Sequence, residues 1–555
     1  MLFPVNLQNK LGLMWLLVGA LFLTGLGRRD WWYPDEPDVA LPAIEMAARG
    51  DWVVPTQNGK AWLDYPPLAY WGARVTGLIT GRIDPFTTRV PMLFFAGVLL
   101  LATARLGAQL RIEEDGRWGA LVLAGTPLLW QQATQVQVDL GYAAAQAVGL
   151  LCYLRGDSAP AGSRASWGWR VLGFAAFGVA ILGKGPLGML LPGLILTLWH
   201  GFNKEWRRIG ELAPLALVSL AVAAPWYAML GQRIGWDVLG EEFYLQNFDR
   251  FQSTTRGHGG KGWWYYGKAL ALDFLPWVFL LVPALYHGWK TQRTDRRWRL
   301  LVIWILAPFI FFTLASTKRN VYPLPIYPAL ALVVASWLRA SAGPWATRWR
   351  RGAGRGWSGF WLVIGLLILV LVVAGWSMGP SGGDPLWKYP GLMVSLRPGL
   401  IVLALVMMSV GWLAVRAMRR DELKGWTTLA LGGALIAGTA MHTVLPVIDE
   451  QRSYKAAAGW LAEQTPAGEK IGYYWPGREA SKRPAWLCHL DGRRFVFLAD
   501  PAAAMAWLNQ SPAGLLLTTP VLAADLSAVV TAAEWRISST SWVVLKAGED
   551  EPQKD

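Results

Sequence analysis

Apolar and polar residues alternate in long blocks along most of this chain. Apolar stretches recur at 11–27, 89–106, 118–133, 140–154, 171–182, 187–199, 212–230, 269–289, 300–315, 321–338, 360–378, 399–415 and 426–444, separated by polar and often basic connections. About 20 apolar residues in a helix rising 1.5 Å each match the roughly 30 Å hydrocarbon core of a bilayer. The pattern predicts an α-helical polytopic membrane protein with about thirteen transmembrane helices.

After Val444 the blocks end. A helical pattern over 454–463, strands at 471–474, 494–498, 514–518 and 541–546, and a helix over 502–508 predict a small C-terminal α/β domain. The chain thus divides into a membrane domain, 1–446, and a soluble domain, 447–555, whose acidic end over 548–555 reads as disordered.

Two connections are unusually long, 28–88 and 232–268. In the first, Val39, Ala40, Ile44, Ala47 and Ala48 share one helical face, and Glu45 stands at i,i+4 spacing from Arg49. This helix is expected to lie flat on the membrane surface. Residues 51–55 read as extended, 57–60 as a turn, and Pro66-Pro67 as the start of another half-buried helix. The second connection has the length of a lid or binding element.

Charge sets the orientation, because Lys and Arg near span ends are retained on the cytoplasmic side. With thirteen spans, the basic loops at 204–208, 290–299, 348–351 and 416–420 fall on one face. The connections 28–88 and 232–268 and everything after Val444 fall on the other. The first apolar stretch has no small-x-small cleavage signature and reads as a retained span. The N-terminus is then cytoplasmic and the C-terminal domain periplasmic, across a bacterial inner membrane.

Composition narrows the function classes. With 54% hydrophobic and 16% charged residues and a mean hydropathy of +0.30, the 555-residue chain is too apolar to be a set of soluble domains. The net charge of +15 is spread over short loops, which suits topology and contact with anionic lipid headgroups and argues against nucleic acid. The 35 tryptophans, many near span ends, fit interfacial belts. Cys152 lies within an apolar stretch and Cys488 in the tail, so the two make neither a disulfide framework nor a zinc site.

Candidate chemistry gathers on the outward side. Asp35-Glu36 follows Trp31-Trp32-Tyr33-Pro34 directly behind the first span, where a carboxylate is costly to place and marks a working site. Asp64, Arg89, Asp139, Lys184 in Gly183-Lys184-Gly185-Pro186, and Lys318, Arg319 and Tyr322 occupy other outward corners. Asp139 and Lys184 also suit a plain helix end and a hairpin cap. Carboxylates beside cations fit a reaction in which a base activates one group while a phosphate leaves. Asp64 and His258 supply two candidate ligands for a divalent metal ion, short of a full set.

These pieces follow a recognisable order. Asp35-Glu36, Gly50-Asp51-Trp52-Val53-Val54-Pro55, Asn58-Gly59-Lys60, Leu63-Asp64-Tyr65-Pro66-Pro67, Arg89-Val90-Pro91, Asp139, Lys184-Gly185-Pro186, Ala224-Pro225-Trp226-Tyr227, Asn247, Leu275-Pro276-Trp277 and the stretch 318–328 succeed one another. In that order the chain resembles the aminoarabinose transferases and their protein mannosyltransferase relatives. These are integral-membrane glycosyltransferases of the C type, with the GT-C fold, that use polyprenyl-phosphate sugars. The resemblance spans roughly the first 340 residues, and the mutual order of the motifs makes it specific.

There is one departure. Members of the aminoarabinose branch usually carry an acidic residue and then lysine before the Pro-Pro pair, whereas this chain has Asp64-Tyr65. A tyrosine donates one hydrogen bond and brings no positive charge, so phosphate neutralisation shifts to Lys184, Arg89, Lys318 or Arg319.

The resemblance implies inverting transfer of a sugar from an undecaprenyl (polyprenyl) phosphate carrier to a periplasm-facing acceptor such as lipid A or another envelope glycan. Asp35 is the expected base, with Glu36 and Asp139 beside it. Lys184, Lys318, Arg319, Arg89, Tyr65 and Tyr322 are expected to contact the donor phosphate and sugar. The alternatives are a protein O-mannosyltransferase-like enzyme and a transporter or flippase for a lipid-linked sugar. The last predicts charges strung through the bilayer and a repeat of the fold; the charges crowd one face and no repeat is visible.

Overall fold

The computed structural model of the chain describes residues 7–112, 116–252, 261–340, 343–377, 392–476, 484–510, 514–527, 529–537 and 540–547. Helix α1 (Leu7–Gly25) leads into α2 (Pro37–Ala48), the short strands β1 (Thr56–Gln57) and β2 (Lys60–Ala61), and α3 (Leu68–Thr80). The helical domain continues through α4 (Pro85–Gln109), α5 (Arg117–Ala124), α6 (Pro127–Thr134), α7 (Asp139–Ser158), α8 (Arg164–Lys184), α9 (Leu187–Phe202), α10 (Trp206–Ile234) and α11 (Trp236–Tyr244). A five-residue π-helical turn, Leu245–Asp249, and α12 (Arg250–Gln252) follow. Then come α13 (Tyr265–Asp273), α14 (Val278–Gln292), α15 (Arg296–Leu314), α16 (Tyr327–Arg339), α17 (Gly343–Ser377), α18 (Leu392–Arg420), α19 (Glu422–Thr443) and α20 (Leu445–Asp449).

Each apolar stretch of the sequence falls mainly on helix, with breaks inside two of them. Gly125 and Thr126 divide 118–133 into α5 and α6, and α13 meets α14 at a bend of 108°. Among the described residues, α4, α8, α10, α15, α17 and α18 are each long and apolar enough to cross a bilayer, and the bent pair is a seventh if its two helices are one broken span. Four of the long helices, α4, α8, α15 and α19, start where a polar side chain accepts from the unpaired first-turn N–H groups. Asp84 accepts from Thr87 N at 2.9 Å while Thr87 Oγ1 accepts from Asp84 N at 2.8 Å, and Asp295 caps α15 through Arg297 N at 2.7 Å.

Helices α7 and α8 form an antiparallel hairpin whose axes come unusually close. A Cβ built on Gly173 would lie 2.7 Å from the carbonyl oxygen of Gly149, and one on Gly149 would lie 2.2 Å from the Phe177 ring. Only glycine permits that approach of backbone to backbone. It fixes the hairpin so that the first residue of α7, Asp139, and the last of α8, Lys184, share one end.

The tail folds as α21 (Lys455–Gln464), β3 (Lys470–Tyr474), α22 (Pro484–Leu487), β4 (Arg494–Leu498), α23 (Pro501–Gln510), β5 (Leu516–Thr518), β6 (Val529–Ile537) and β7 (Thr540–Ala547). Its five-stranded sheet has the order β4-β3-β5-β7-β6, with β3 parallel to β4 and β5 and β7 antiparallel to β5 and β6. Strand β6 was not expected from the sequence. Its apolar alternation is interrupted by Ala532-Ala533, where the pairing with β7 slips between Thr531 and Ala533. The acidic end 548–555 lies outside the described residues.

The first long connection differs from expectation in one respect. Helix α2 is present and Glu45 pairs with Arg49 at 3.6 Å, but the helix is buried on more than one side and does not lie flat on a membrane surface. Ala40, Ala43 and Met46 join the core of the helical domain, whereas Leu41 packs into the core of the tail. The helix is a wedge between the two. The expected turn is a hairpin tip: Asn58 and Gly59 both have positive φ, 52° and 76°, as a tight two-residue connection requires. Asn58 then pairs with the edge of the tail sheet, donating to Phe495 O and accepting from Phe495 N, each at 2.9 Å.

Candidate active site

The two carboxylates of Asp35-Glu36 face different surroundings. Glu36 begins α2 and turns inward, where its side chain is 2% exposed. Arg89 reaches it with Nε at 2.7 Å and Nη2 at 2.9 Å, and Arg29 Nη1 lies at 2.5 Å. The backbone N–H groups of Trp32 and Val136 complete the set at 3.0 and 3.1 Å. Burial raises the Glu36 carboxyl pKa, but Arg89 and Arg29 outweigh it and hold it down at about 2.

Arg89 is wholly buried, and its five N–H donors all have acceptors: the two Glu36 oxygens and the carbonyls of Leu26, Arg29 and Asp30. No donor is left for a phosphate. The roles expected for Glu36 in catalysis and for Arg89 at the phosphate are therefore revised. Together they clamp the first loop onto the start of α4.

Asp35 points the other way and is about one-third exposed. Its Oδ1 lies 2.6 Å from Arg319 Nη2, and its Oδ2 accepts from Gln137 Nε2 at 3.1 Å. Arg319 stands in the corner between α15 and α16. Burial lowers its pKa, but Asp35, then Tyr65, Asp139 and Tyr322, outweigh that and raise it above the usual range. These four residues thus act electrostatically on one guanidinium, with Asp35 in direct contact.

Lys184 and Asp139 meet at the end of the α7–α8 hairpin as an ion pair. The Lys184 ammonium also lies 4.2 Å from the centroid of the Tyr322 ring, a cation–π contact. Gly185 follows with φ of 66°, and a Cβ there would press on Asn247 at 3.1 Å, so glycine is needed to end α8 beside the second long loop.

Lys184, Gly185, Asn247 and Tyr322 line a cavity of about 300 Å³, and Asp139 stands behind its wall through the ion pair with Lys184. Its polar wall includes Asp64, Tyr65, Lys184, Glu242, Gln246, Asn247, Gln252, Thr317 and Tyr322; most of the rest is apolar, and the lining residues Leu190 and Phe248 are exposed on the outer flank. Such a space takes a polar headgroup at one end and a hydrocarbon chain at the other. Of the expected phosphate contacts, Tyr65, Lys184 and Tyr322 line it, whereas Arg319 and its partner Asp35 are not among the lining residues. Lys318 does not line it: its ammonium donates to the carbonyl of Ala315, and burial pushes its pKa down.

Of the two expected metal ligands, His258 lies outside the described residues. Asp64 lies on the cavity wall and accepts from Gln246 Nε2 at 2.8 Å. Among the described residues no group of three or more His, Cys, Asp or Glu is placed to hold an ion. Sequence reading missed Gln137 and Gln246, each of which hydrogen-bonds a carboxylate of the site. Neutral amides carry no periodic or charge signal, and only the fold shows what they face.

Comparison with known proteins places this fold among membrane glycosyltransferases. Residues 64–228 match the family described as dolichyl-phosphate-mannose-protein mannosyltransferase. A Sodalis glossinidius protein named undecaprenyl phosphate-alpha-4-amino-4-deoxy-L-arabinose arabinosyl transferase 2 is 28% identical over 528 residues, covering 91% of this chain and 90% of the relative. A Pseudomonas fluorescens protein of the same name is 30% identical over 326 residues, 58% of each chain. The fold matches the crystal structure of ArnT from Cupriavidus metallidurans in the apo state, with a TM-score of 0.76 at 20% identity over 97% of this chain and 98% of that one. The family match, the relatives and the fold together support an aminoarabinose transferase or protein mannosyltransferase-like glycosyltransferase of the C type. A second ArnT structure, described as bound to undecaprenyl phosphate, matches at 23% identity with a TM-score of 0.75 over 98% of this chain and 100% of that one. The glycosyltransferase is a multi-span membrane protein with a small C-terminal sheet domain, as the sequence predicted.

Proposed function

We propose that this glycosyltransferase moves a sugar from an undecaprenyl-phosphate carrier to an acceptor at the periplasmic face of the bacterial inner membrane, such as lipid A. The observation that carries this reading is a cavity with an apolar flank, lined by Tyr65, Lys184 and Tyr322, with Asp139 paired to Lys184 and with the Asp35–Arg319 pair within electrostatic reach of Tyr65 and Tyr322. Relatives of similar length are named as undecaprenyl phosphate-aminoarabinose arabinosyl transferases.

In this reading the carrier's hydrocarbon chain enters past Leu190 and Phe248 and its phosphate approaches Lys184, Arg319, Tyr65 and Tyr322. The bond from the anomeric carbon to the phosphate oxygen breaks, its electron pair leaves with the phosphate, and the acceptor oxygen bonds the anomeric carbon from the opposite face. Lys184 and Arg319 oppose the charge that develops on the leaving phosphate. Arg319 presents a planar fork suited to two phosphate oxygens, which supplies the charge that Tyr65 lacks. Asp35, released from Arg319 as that guanidinium turns to the phosphate, takes the proton of a hydroxyl acceptor. An anionic phosphate acceptor needs no deprotonation, and Asp35 then orients it.

The flippase reading is less well supported. Residues 171–183 of α8 and 212–232 of α10 contain no charged residue, so no string of charges connects the two ends of these helices.

The test uses cells lacking the protein, complemented with wild type or Asp35→Asn, and mass spectrometry of lipid A, envelope glycans and polyprenyl-phosphate sugars. The expected result is one acceptor missing its sugar, with the carrier accumulating, in both the deficient and the Asp35→Asn cells. A wild-type pattern with Asp35→Asn overturns the assignment of the site.

A further inference from the structure

Helices α8 and α10 carry the candidate active site at one end and a second, separate cavity at the other. Arg207 lies about 30 Å along α10 from Tyr227, at 1.5 Å per residue. The second cavity, about 500 Å³, opens between the start of α8 and the turn joining α9 to α10. Arg170, Lys204, Arg207 and Arg208 line it against the carboxylates of Glu205 and Glu211.

The inner part of this cluster is internally balanced. Glu211 Oε2 holds the buried Arg170 at 2.5 Å and Arg208 at 3.1 Å. Glu205 is held by Arg296 at 2.8 Å and by His200 at 2.6 Å, and Asp157 pairs with Arg296 at 2.7 Å and Arg208 at 3.7 Å. The carboxylates are thus engaged by the inner cations, and the excess positive charge stands on the rim. The Lys204 side chain is exposed and has no hydrogen bond or ion pair among the described residues. Arg207 reaches Glu211 only at 3.5 Å with its side chain 94% exposed, a contact worth little in water.

The rim itself is shaped for a membrane interface. Lys204 occupies the left-handed region, φ 58°, where glycine or asparagine would sit at lower cost. Trp206 and Phe202 beside it are exposed, as are Leu217 and Leu220 further along α10 and Leu172 on α8. Aromatic side chains at headgroup depth above an exposed aliphatic flank are the surroundings of a lipid whose head is polar and whose chains lie along the helices.

We propose that this cavity binds the phosphate headgroup of an anionic phospholipid, held by Lys204 and Arg207, with its acyl chains along the outer faces of α8 and α10. The site takes no part in sugar transfer and does not depend on the reading of the active site.

The test is native mass spectrometry of the full-length protein released from detergent with added phosphatidylglycerol, cardiolipin or phosphatidylethanolamine. The comparison is wild type against Lys204→Gly/Arg207→Gln. Glycine fits the backbone at position 204, and circular dichroism and thermal unfolding confirm that the variant folds. The expected result is that the variant loses roughly thirtyfold in affinity for an anionic lipid, about tenfold or less for each cation being typical near a membrane surface, while phosphatidylethanolamine binding is unchanged. Equal retention of anionic lipid by both proteins overturns the proposal. Inorganic pyrophosphate is the second arm. It is expected to leave the bound lipid in place, and full displacement at low millimolar concentration would assign the site to a soluble phosphate compound and overturn the lipid assignment.

Discussion

Asp35 and Arg319, separated by most of the helical domain in sequence, form an ion pair of 2.6 Å. Removing the charge of Arg319 in the Arg319→Gln variant is expected to lower turnover by about 10²–10³-fold, the usual cost of losing one charge-stabilising donor. Arg319→Lys keeps the charge but loses the planar fork, and is expected to recover part of the rate while raising KM for the carrier. Steady-state kinetics with a polyprenyl-phosphate sugar checks this; equal kcat/KM for Arg319→Gln and wild type would remove Arg319 from the mechanism.

Glu36 makes a different prediction from its neighbour. Glu36→Gln leaves Arg89 and Arg29 buried without their counter-charge and is expected to destabilise the protein by about 3 kcal/mol. Thermal unfolding in detergent is the measurement. Full stability with abolished turnover would return Glu36 to a catalytic role.

The same carboxylate contributes a pH dependence. Its folded pKa, about 2, lies below the ordinary 4.5, so its stabilisation is fully present above pH 4.5 and is lost as pH falls from 4.5 through 2. The melting temperature is expected to fall over that window, and by less in Glu36→Gln than in wild type. Identical slopes for the two proteins would contradict this.

Gly173 tests whether the crossing of α7 and α8 positions the site. The atoms nearest a Cβ at this position belong to the Gly149 and Tyr153 backbones, which cannot move aside as a flexible side chain would. Gly173→Ala is expected to cost about 1–3 kcal/mol and to reduce turnover by displacing Asp139 from Lys184. Gly168→Ala, on the same helix with no neighbour within 4 Å, is the control and is expected to leave both unchanged.

The tail offers a further test. Asp30 accepts from Ser453 Oγ at 2.6 Å and lies 2.9 Å from His489 Nε2, while Asn58 makes its two hydrogen bonds to Phe495. These contacts tie the tail to the loop that carries Asp35. Asn58→Ala is expected to weaken docking by about 1–2 kcal/mol and to speed proteolytic cleavage between α20 and β3 severalfold. An unchanged cleavage rate would show that α2, with Leu41 in the tail core, suffices for docking.

The helical domain was legible in the sequence because a bilayer imposes a simple rule: long apolar runs, ended by charge or glycine, become helices. The tail strands at 494–498 and 541–546 were legible for a similar reason, since their apolar runs match buried strands. Strand β6 was not, because much of its length is exposed and its alternation slips at a bulge. Helix α2 was read correctly as a helix and placed wrongly, since an amphipathic pattern shows that a face is buried and not what buries it.

The sequence alone determined that this is a membrane protein of many helices with a small α/β tail, that ionisable residues stand at the ends of its apolar stretches, and that their order resembles that of a C-type glycosyltransferase. Periodicity, hydropathy and motif order are local quantities, and a chain displays them without folding. Only the tertiary structure separated Asp35 from Glu36. The two adjacent carboxylates look alike in the sequence, but the fold turns Glu36 into five donors, three from Arg89 and Arg29 and two from the Trp32 and Val136 backbone, where it is held ionised and saturated, and leaves Asp35 beside Arg319. Which charges are engaged and which are available is decided by long-range pairing in a low-dielectric interior, and that pairing exists only once distant helices have met.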